Sequence, residues 1–236
     1  KDGYESIAFS ALDNLQANDA DASIKKKLAC VAAPFVCLDG VNEAGVSIAV
    51  LTLDSEPVAQ KTGKEVIGTT LAIRLVLDYA GTTEEAIDLL GKYDMMATGG
   101  RDYHFYITDA SGDGRVVEYD CEDEERPMKV TEIDAITNFY GAYIDRVEPD
   151  QKNGIYGHGK ERYDSIKAVL DENEGDQTEE TVWEALKASS QEPNPEDITS
   201  NTQWSISYNN TECSAKIAIR RKWDRVTAFD IRGQKK

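Results

Sequence analysis

Short apolar runs and amphipathic segments alternate in groups along the chain. A Gly-containing turn at 42–45 precedes a dense apolar run at 46–53, which predicts a strand covered on both faces. The apolar spacing predicts a buried helix over 71–80, and a capping box at 82–85 begins a second helix that runs to Tyr93. Before these elements, residues 1–40 hold only a helix-like run at 22–32 and are interpreted as an irregular lead-in.

The rest of the chain continues this grouping, with strands, a helix pair and strands again. Strands are predicted at 104–108, 115–119, 129–133, 135–140, 203–208, 214–221 and 225–231, and helices at 160–170 and 178–189. Short turns between the strands favour antiparallel pairing. Helix pairs between runs of hairpin-joined strands predict an α+β fold in which two antiparallel sheets stack face to face with helices outside. We expect residues 1–236 to form a single domain.

Charge and composition narrow the classes of function. Lys and Arg number 26 against 44 Asp and Glu, which gives a net charge of −18 and disfavours nucleic acids and anionic lipid surfaces as partners. No apolar stretch reaches the roughly 20 residues that span a bilayer. The four cysteines lack C-x-x-C spacing and only two histidines are present, so no metal ion or other cofactor is expected. The cysteines are interpreted as reduced structural thiols, although spacing leaves one or two disulfides, and hence a cytoplasmic or secreted location, open.

Few residues indicate chemistry when they are taken one at a time. Asn138, at the end of a predicted strand, could donate to a developing oxyanion, but it is also an ordinary turn residue. Arg162 fits a solvated cation at the start of a helix. His104 and His158 could act as general bases, yet no nucleophile lies near either in the sequence, so structural roles are favoured for both.

Several blocks in a fixed order carry a more specific signal. They are LDGVNEAGV at 38–46, TTLAIR at 69–74, YHF at 103–105, VEY at 117–119, TNFY at 137–140, ERY at 161–163 and QWSISYN at 203–209. Together they resemble the choloylglycine hydrolase and linear-amide C–N hydrolase family of N-terminal-nucleophile enzymes, over most of the chain. The resemblance implies an αββα sandwich and hydrolysis of an amide that joins an acyl group to an amine or amino acid. Conjugated bile acids, penicillin V and N-acyl amides are substrates of that family.

The resemblance also implies which residues form the site. In that family a cysteine at the mature N-terminus is the nucleophile and its own α-amine is the base. Residue 1 here is Lys1, and no cysteine of this chain occupies the family's nucleophile position, so we expect an N-terminally truncated chain whose opening strands and nucleophile are missing. Asn138 and Arg162 match site residues of the family. Thr52 falls at the oxyanion position, where relatives carry Asn or Tyr.

Two functional hypotheses follow from these observations. The first is that the parent protein is an amidase acting on a small-molecule amide through a cysteine upstream of Lys1. The alternative is a catalytically inactive fragment, a ligand-binding remnant of the same fold. Because missing strands would leave an unpaired apolar edge, we also expect this chain to self-associate, as a homo-oligomer or with a missing N-terminal chain.

Overall fold

A computed structural model describes residues 3–17, 19, 21, 23–175, 177–196 and 201–231, which form strands, α-helices and short 3-10 helices. The strands are β1 (Ser6–Phe9), β2 (Asp39–Asn42), β3 (Ser47–Leu53), β4 (Glu65–Gly68), β5 (Tyr93–Met96), β6 (Asp102–Thr108), β7 (Gly114–Tyr119), β8 (Met128–Glu132), β9 (Trp204–Asn209), β10 (Ser214–Ile219) and β11 (Val226–Asp230). The α-helices are α1 (Ile24–Leu28), α2 (Thr69–Tyr79), α3 (Thr83–Leu90), α4 (Lys160–Glu172) and α5 (Glu179–Ala188). The 3-10 helices are Leu12–Leu15, Ala29–Phe35 and Gly141–Arg146.

The predicted apolar run forms β3, at the centre of a six-stranded antiparallel sheet of order β1-β2-β3-β6-β7-β8. Its register with β6 runs from Ser47 opposite Thr108 to Leu53 opposite Asp102. Alternate side chains of β3 point to opposite faces of the sheet, and Ile48 packs into the main core against Ile73 of α2. The prediction of a strand covered on both faces is confirmed.

A second antiparallel sheet has the order β11-β10-β9. One face contacts the first sheet, since Tyr208 packs against Phe9 and donates a hydrogen bond to Asp39. The opposite face meets α5, where Lys216 pairs with Glu179 at 2.7 Å. With α2 and α3 on the outer face of the first sheet, the layers are helices, sheet, sheet and helices. The predicted α+β αββα sandwich is therefore confirmed.

Several local predictions were wrong. Residues 135–140 form no strand, and their only pairing among the described residues is an isolated bridge between Phe139 and Gly157. The lead-in contributes β1, which pairs with β2. The helix predicted at 22–32 is α-helical only over Ile24–Leu28, because it tightens into a 3-10 helix that contains Pro34. The second predicted helix ends at Leu90, and the following residues form β5, which pairs with β4 in parallel.

The outer edge of β9 pairs with no other strand in the part of the chain that the structure describes. A cavity of about 400 Å³ lies beside this edge, between the inner face of the first sheet and the two helices α4 and α5. Its walls are mainly apolar and include Leu51, Ile166, Leu186 and Ile206. Within the described ranges, no helix combines the length and apolar content that a bilayer crossing requires.

Candidate active site

The three residues singled out by resemblance, Thr52, Asn138 and Arg162, form one hydrogen-bonded chain. Arg162 Nη2 donates to Asn138 Oδ1 at 3.0 Å. Asn138 Nδ2 donates to the backbone oxygen of Thr52 at 2.9 Å and lies 3.2 Å from Thr52 Oγ1. Residues far apart in the sequence thus meet where β3 ends and α4 begins.

Two glycines allow Asn138 and Arg162 to come this close to the loop before α4. Gly157 has a φ of 102°, and a Cβ there would collide with the backbone oxygen of Asn138. Gly159 has a φ of 86°, and a Cβ there would collide with the guanidinium of Arg162. Since a side chain is strained in this backbone region as well as blocked, both positions require glycine. The loop is also held at the site by a hydrogen bond from the backbone N–H of His158 to the backbone oxygen of Asn138, at 2.8 Å.

Arg162 lies in the first turn of α4 with its side chain 19% exposed. Burial lowers the pKa of its guanidinium, and the Glu161 carboxylate, 3.7 Å from Nε, opposes that effect. A guanidinium keeps its proton near neutral pH despite such a shift. Arg162 Nε is buried without a hydrogen-bond partner among the described residues. The site therefore holds a fixed positive charge, and the buried Nε–H of Arg162 is an unused donor.

This geometry assigns a direction to each hydrogen bond. The guanidinium of Arg162 polarises the Asn138 carboxamide, whose N–H groups then donate more strongly toward Thr52. A hydroxyl both accepts and donates, so Thr52 Oγ1 can accept from Asn138 and still direct its own proton elsewhere. The arrangement can stabilise negative charge that develops on an oxygen placed next to Thr52.

Asp54 and His158 form a second polar pair beside this chain, and the sequence interpretation missed it. His158 Nδ1 lies 2.8 Å from Asp54 Oδ2, and each side chain is 30% exposed. Asp54 comes two residues after Thr52, and His158 comes four residues before Arg162. The sequence signal for this pair was its proximity to Thr52 and Arg162 along the chain.

A buried carboxylate holds the segment that follows Asn138. Glu118 of β7 is fully buried and accepts hydrogen bonds from the backbone N–H groups of Gly141 at 3.0 Å and Ala142 at 2.8 Å. His104, also fully buried, lies 3.6 Å from the same carboxylate. The structural role predicted for His104 agrees with this position in the core.

The cysteines offer no activated thiol in this neighbourhood. Burial raises the pKa of the Cys37 thiol and, together with the nearby Asp120 carboxylate, raises the pKa of Cys121 to about 11. The Cys213 thiol is buried and donates to the backbone oxygen of Glu43 at 3.3 Å. Cys30, Cys37 and Cys121 are free thiols. A thiol with a raised pKa is a poor nucleophile at neutral pH.

No group of three or more His, Cys, Asp or Glu side chains within the described ranges is arranged to hold a metal ion.

The αββα layers define a protein with the N-terminal-nucleophile hydrolase type of fold. Residues 24–222 match the family described as acyl-coenzyme A:6-aminopenicillanic acid acyl-transferase. Because the match covers most of the 236 residues, the chain belongs to this penicillin acylase and choloylglycine hydrolase family. The resemblance stated from the sequence blocks is confirmed.

Solved structures show the same fold. A variant of conjugated bile acid hydrolase from Clostridium perfringens is 17% identical, with a TM-score of 0.65 over 83% of this chain and 73% of that one. Penicillin V acylase from Agrobacterium tumefaciens is 20% identical, with a TM-score of 0.62 over 85% of this chain and 68% of that one. A cysteine-to-alanine mutant of the Clostridium perfringens hydrolase is 16% identical, with a TM-score of 0.64 over 84% of this chain and 74% of that one. No curated protein matches the chain.

Proposed function

We propose that the protein carrying this chain hydrolyses a linear amide C–N bond between an acyl group and an amine or amino acid. The observation that carries the proposal is the hydrogen-bonded chain from Arg162 through Asn138 to Thr52. Such a chain supplies a polarised donor for the oxyanion that forms when an amide carbonyl is attacked. Membership of the acyl-transferase family, and likeness to a bile acid hydrolase and a penicillin acylase, support acyl chemistry at this site.

The attacking group in this proposal is an N-terminal cysteine that lies outside the 236 residues. The α-amine of that cysteine takes the thiol proton, the thiolate adds to the carbonyl carbon, and the negative charge on oxygen is stabilised by the Thr52 hydroxyl. The C–N bond then breaks, the leaving amine takes the proton held by the α-ammonium group, and a thioester remains. Water cleaves the thioester, which releases the acid and restores the thiol. The raised thiol pKa values of Cys37 and Cys121 argue against either of these residues as the nucleophile.

Thr52 is the weakest element of this reaction. Its hydroxyl supplies one donor, and Asn138 Nδ2 is directed at the two oxygens of Thr52. Removal of one oxyanion donor costs about 3–4 kcal/mol in other enzymes. This arrangement also supports the second candidate, a ligand-binding remnant that holds an amide without cleaving it.

The test uses the full-length protein, incubated with a glycine-conjugated bile acid, penicillin V and an N-acyl amino acid, with products measured by mass spectrometry. An electrophilic acyl probe then locates the acylated residue. We expect cleavage of at least one amide and labelling at an N-terminal cysteine. A Cys121→Ala variant is the matched control and keeps both activities.

Each contrary outcome has a distinct meaning. Labelling at a cysteine of these 236 residues would overturn the nucleophile assignment. Amide binding without cleavage or labelling would overturn hydrolysis in favour of the remnant. Transfer of the acyl group to an added amine in preference to water would make the protein a transferase, as the family's description names it.

A further inference from the structure

The segment 24–35 carries its large apolar side chains in solvent. It consists of α1 and the 3-10 helix that follows, and neither element has a buried residue. Ile24 is 79% exposed, Leu28 63%, Val31 77% and Phe35 55%. Single exposed apolar residues are ordinary on a protein surface, but several large ones in one short segment mark a surface that binds a partner.

The same segment is basic, although the protein is strongly acidic. Lys25, Lys26 and Lys27 fill the positions between Ile24 and Leu28, whereas the whole chain has a net charge of −18. The side chains of Lys25 and Lys26 form no ion pair or hydrogen bond within the described ranges. Ile24 and Leu28 lie on one side of α1 because they are four residues apart. A partner surface must therefore combine apolar area with negative charge.

A cleft of about 420 Å³ lies between α5 and the turn that joins β10 to β11. This indole cleft is lined by Glu179, Glu180, Trp183, Lys187, Trp223 and Val226. The rings of Trp183 and Trp223 are inclined at 70° with their centroids 6.3 Å apart, so they form two walls of a corner. Val226 adds apolar area and is 41% exposed. The indole cleft can therefore bury an apolar side chain that enters it.

The indole cleft is also suited to a cation. Glu179 accepts a hydrogen bond from Trp183 Nε1 at 3.1 Å and is paired with Lys216 at 2.7 Å. The Glu180 carboxylate, in contrast, has no such partner in the part of the chain that the structure describes. Lys187, the cation of the cleft itself, lies seven residues, or about 10 Å of helix, from Glu180. The end of the cleft at Glu180 therefore keeps its negative charge.

The two indole rings add to this preference, because an ammonium group is attracted to an aromatic face as well as to a carboxylate. Among the described residues, the cations that lie over aromatic rings lie over tyrosines. Both indole rings are therefore available to a lysine side chain from outside.

We propose that the indole cleft of one copy of this protein binds the segment 24–35 of a second copy. The two surfaces complement each other in charge and in apolar area, and both belong to this chain. Lys25 and Lys26 lie next to Glu180, and the side chains of Ile24 and Leu28 enter the corner between the indole rings. An anionic membrane fits the segment less well, because it repels a protein of charge −18. Since the contact joins two different surfaces, it forms a symmetric dimer with two such contacts or a head-to-tail assembly.

Charge reversal tests this contact in the full-length protein by sedimentation velocity. Lys25→Glu with Lys26→Glu makes both surfaces negative, and Glu180→Lys makes both positive. Like charges that face each other weaken binding, so we expect each variant alone to raise the dissociation constant at least about tenfold. An equimolar mixture of the two variants again places opposite charges at every contact and should restore association. Lys61→Glu and Glu124→Lys change exposed charges elsewhere and should associate like the wild type.

Circular dichroism checks that each variant is folded, which we expect because the substituted side chains are exposed. Reversed variants that associate as tightly as the wild type would overturn the inference and point to the edge of β9. A mixture that stays monomeric would overturn it as well, as would a monomeric wild-type protein. A monomeric wild type that sediments with phosphatidylserine vesicles, and loses this binding in Lys25→Glu with Lys26→Glu, would assign the segment to a lipid surface instead.

Discussion

Asn138 is oriented by Arg162. The 3.0 Å bond from Arg162 Nη2 fixes the amide oxygen toward the guanidinium and therefore turns the amide nitrogen toward Thr52. Since the cation can approach only the oxygen end of the carboxamide, a single partner determines the direction of the whole chain of hydrogen bonds.

The first prediction concerns this direction. Asn138→Asp replaces the N–H donors with an oxygen that repels the Thr52 oxygens, so we expect kcat to fall by about 10²–10³-fold while the fold is kept. Thr52→Val should lower kcat by a similar factor, because it removes the hydroxyl with little change in shape. Thr52→Ser is the matched control and retains most of the activity. Equal kcat in the serine and valine variants would exclude a role for the hydroxyl.

The second prediction concerns the contact between the two sheets. Burial raises the pKa of Asp39 to about 6, and the hydrogen bond from Tyr208 partly opposes this effect. A carboxyl with a raised pKa holds its proton more tightly in the folded state than in the unfolded state. Its contribution to stability is therefore fully present below the unfolded value of 3.8 and is lost as the pH rises through about 6.

Urea unfolding between pH 4 and pH 7 measures this effect. Asp39 should contribute on the order of 2–3 kcal/mol to the decline in the free energy of unfolding. Asp39→Asn should be flatter over the same range, because it has no proton to lose. The same dependence of the free energy of unfolding on pH in the wild-type protein and in Asp39→Asn would contradict the assignment.

The third prediction concerns a buried charge network behind the site. Asp102 is fully buried and accepts hydrogen bonds from Arg126 Nη2 at 2.6 Å, from Ser55 Oγ at 2.8 Å and from the Tyr140 hydroxyl. Arg126→Met leaves the carboxylate without its counter-charge, and we expect a loss of about 3–5 kcal/mol in the free energy of unfolding.

A comparison with the more exposed pair of Arg115 and Asp113 provides the control. Arg115→Met should cost about 1 kcal/mol or less, since solvent screens that pair. The double variant with Asp102→Asn and Arg126→Met should be more stable than Arg126→Met alone. Equal losses for the two arginines in denaturant unfolding would show that burial of Asp102 does not determine the cost.

The fourth prediction concerns Glu118 and the backbone that follows Asn138. Glu118→Leu leaves the N–H groups of Gly141 and Ala142 without their acceptor, and each such group costs about 1–3 kcal/mol when buried. We expect lower stability and, through displacement of Asn138, lower kcat. Glu118→Gln keeps one acceptor oxygen and should be intermediate in both measurements. Unchanged stability of the leucine variant would contradict this role.

The fifth prediction concerns the unpaired edge of β9. An apolar edge beside an apolar cavity favours pairing with another chain, so we expect the 236-residue chain to associate with increasing concentration in sedimentation velocity. Ile206→Lys places a charge on the cavity side of β9 and should shift the chain toward monomer. A wild-type chain that stays monomeric at all concentrations would contradict the prediction.

Local patterns predicted most of the regular structure. The helices α2 and α3 follow from apolar spacing and from the capping residue Thr82, whose side chain accepts the Glu85 N–H in the structure. The strand β1 has only four residues, and it is a strand because β2, more than thirty residues later, pairs with it. Residues 135–140 have an apolar pattern typical of a strand. The backbone oxygen of Asn138, however, accepts the backbone N–H of His158 in the loop before α4, and not an N–H of a neighbouring strand.

The sequence by itself indicated the antiparallel layering and, through its ordered motifs, the family, because periodicity, turn chemistry and motifs are properties of neighbouring residues. The roles of Asn138, Arg162 and Thr52 remain proposals that rest on the resemblance. Only the tertiary structure decided that Arg162 orients Asn138 and that Asp54 pairs with His158. Those contacts join residues separated by 24 and 104 positions, and their hydrogen bonds form only after packing brings β3, the 137–139 segment and α4 together.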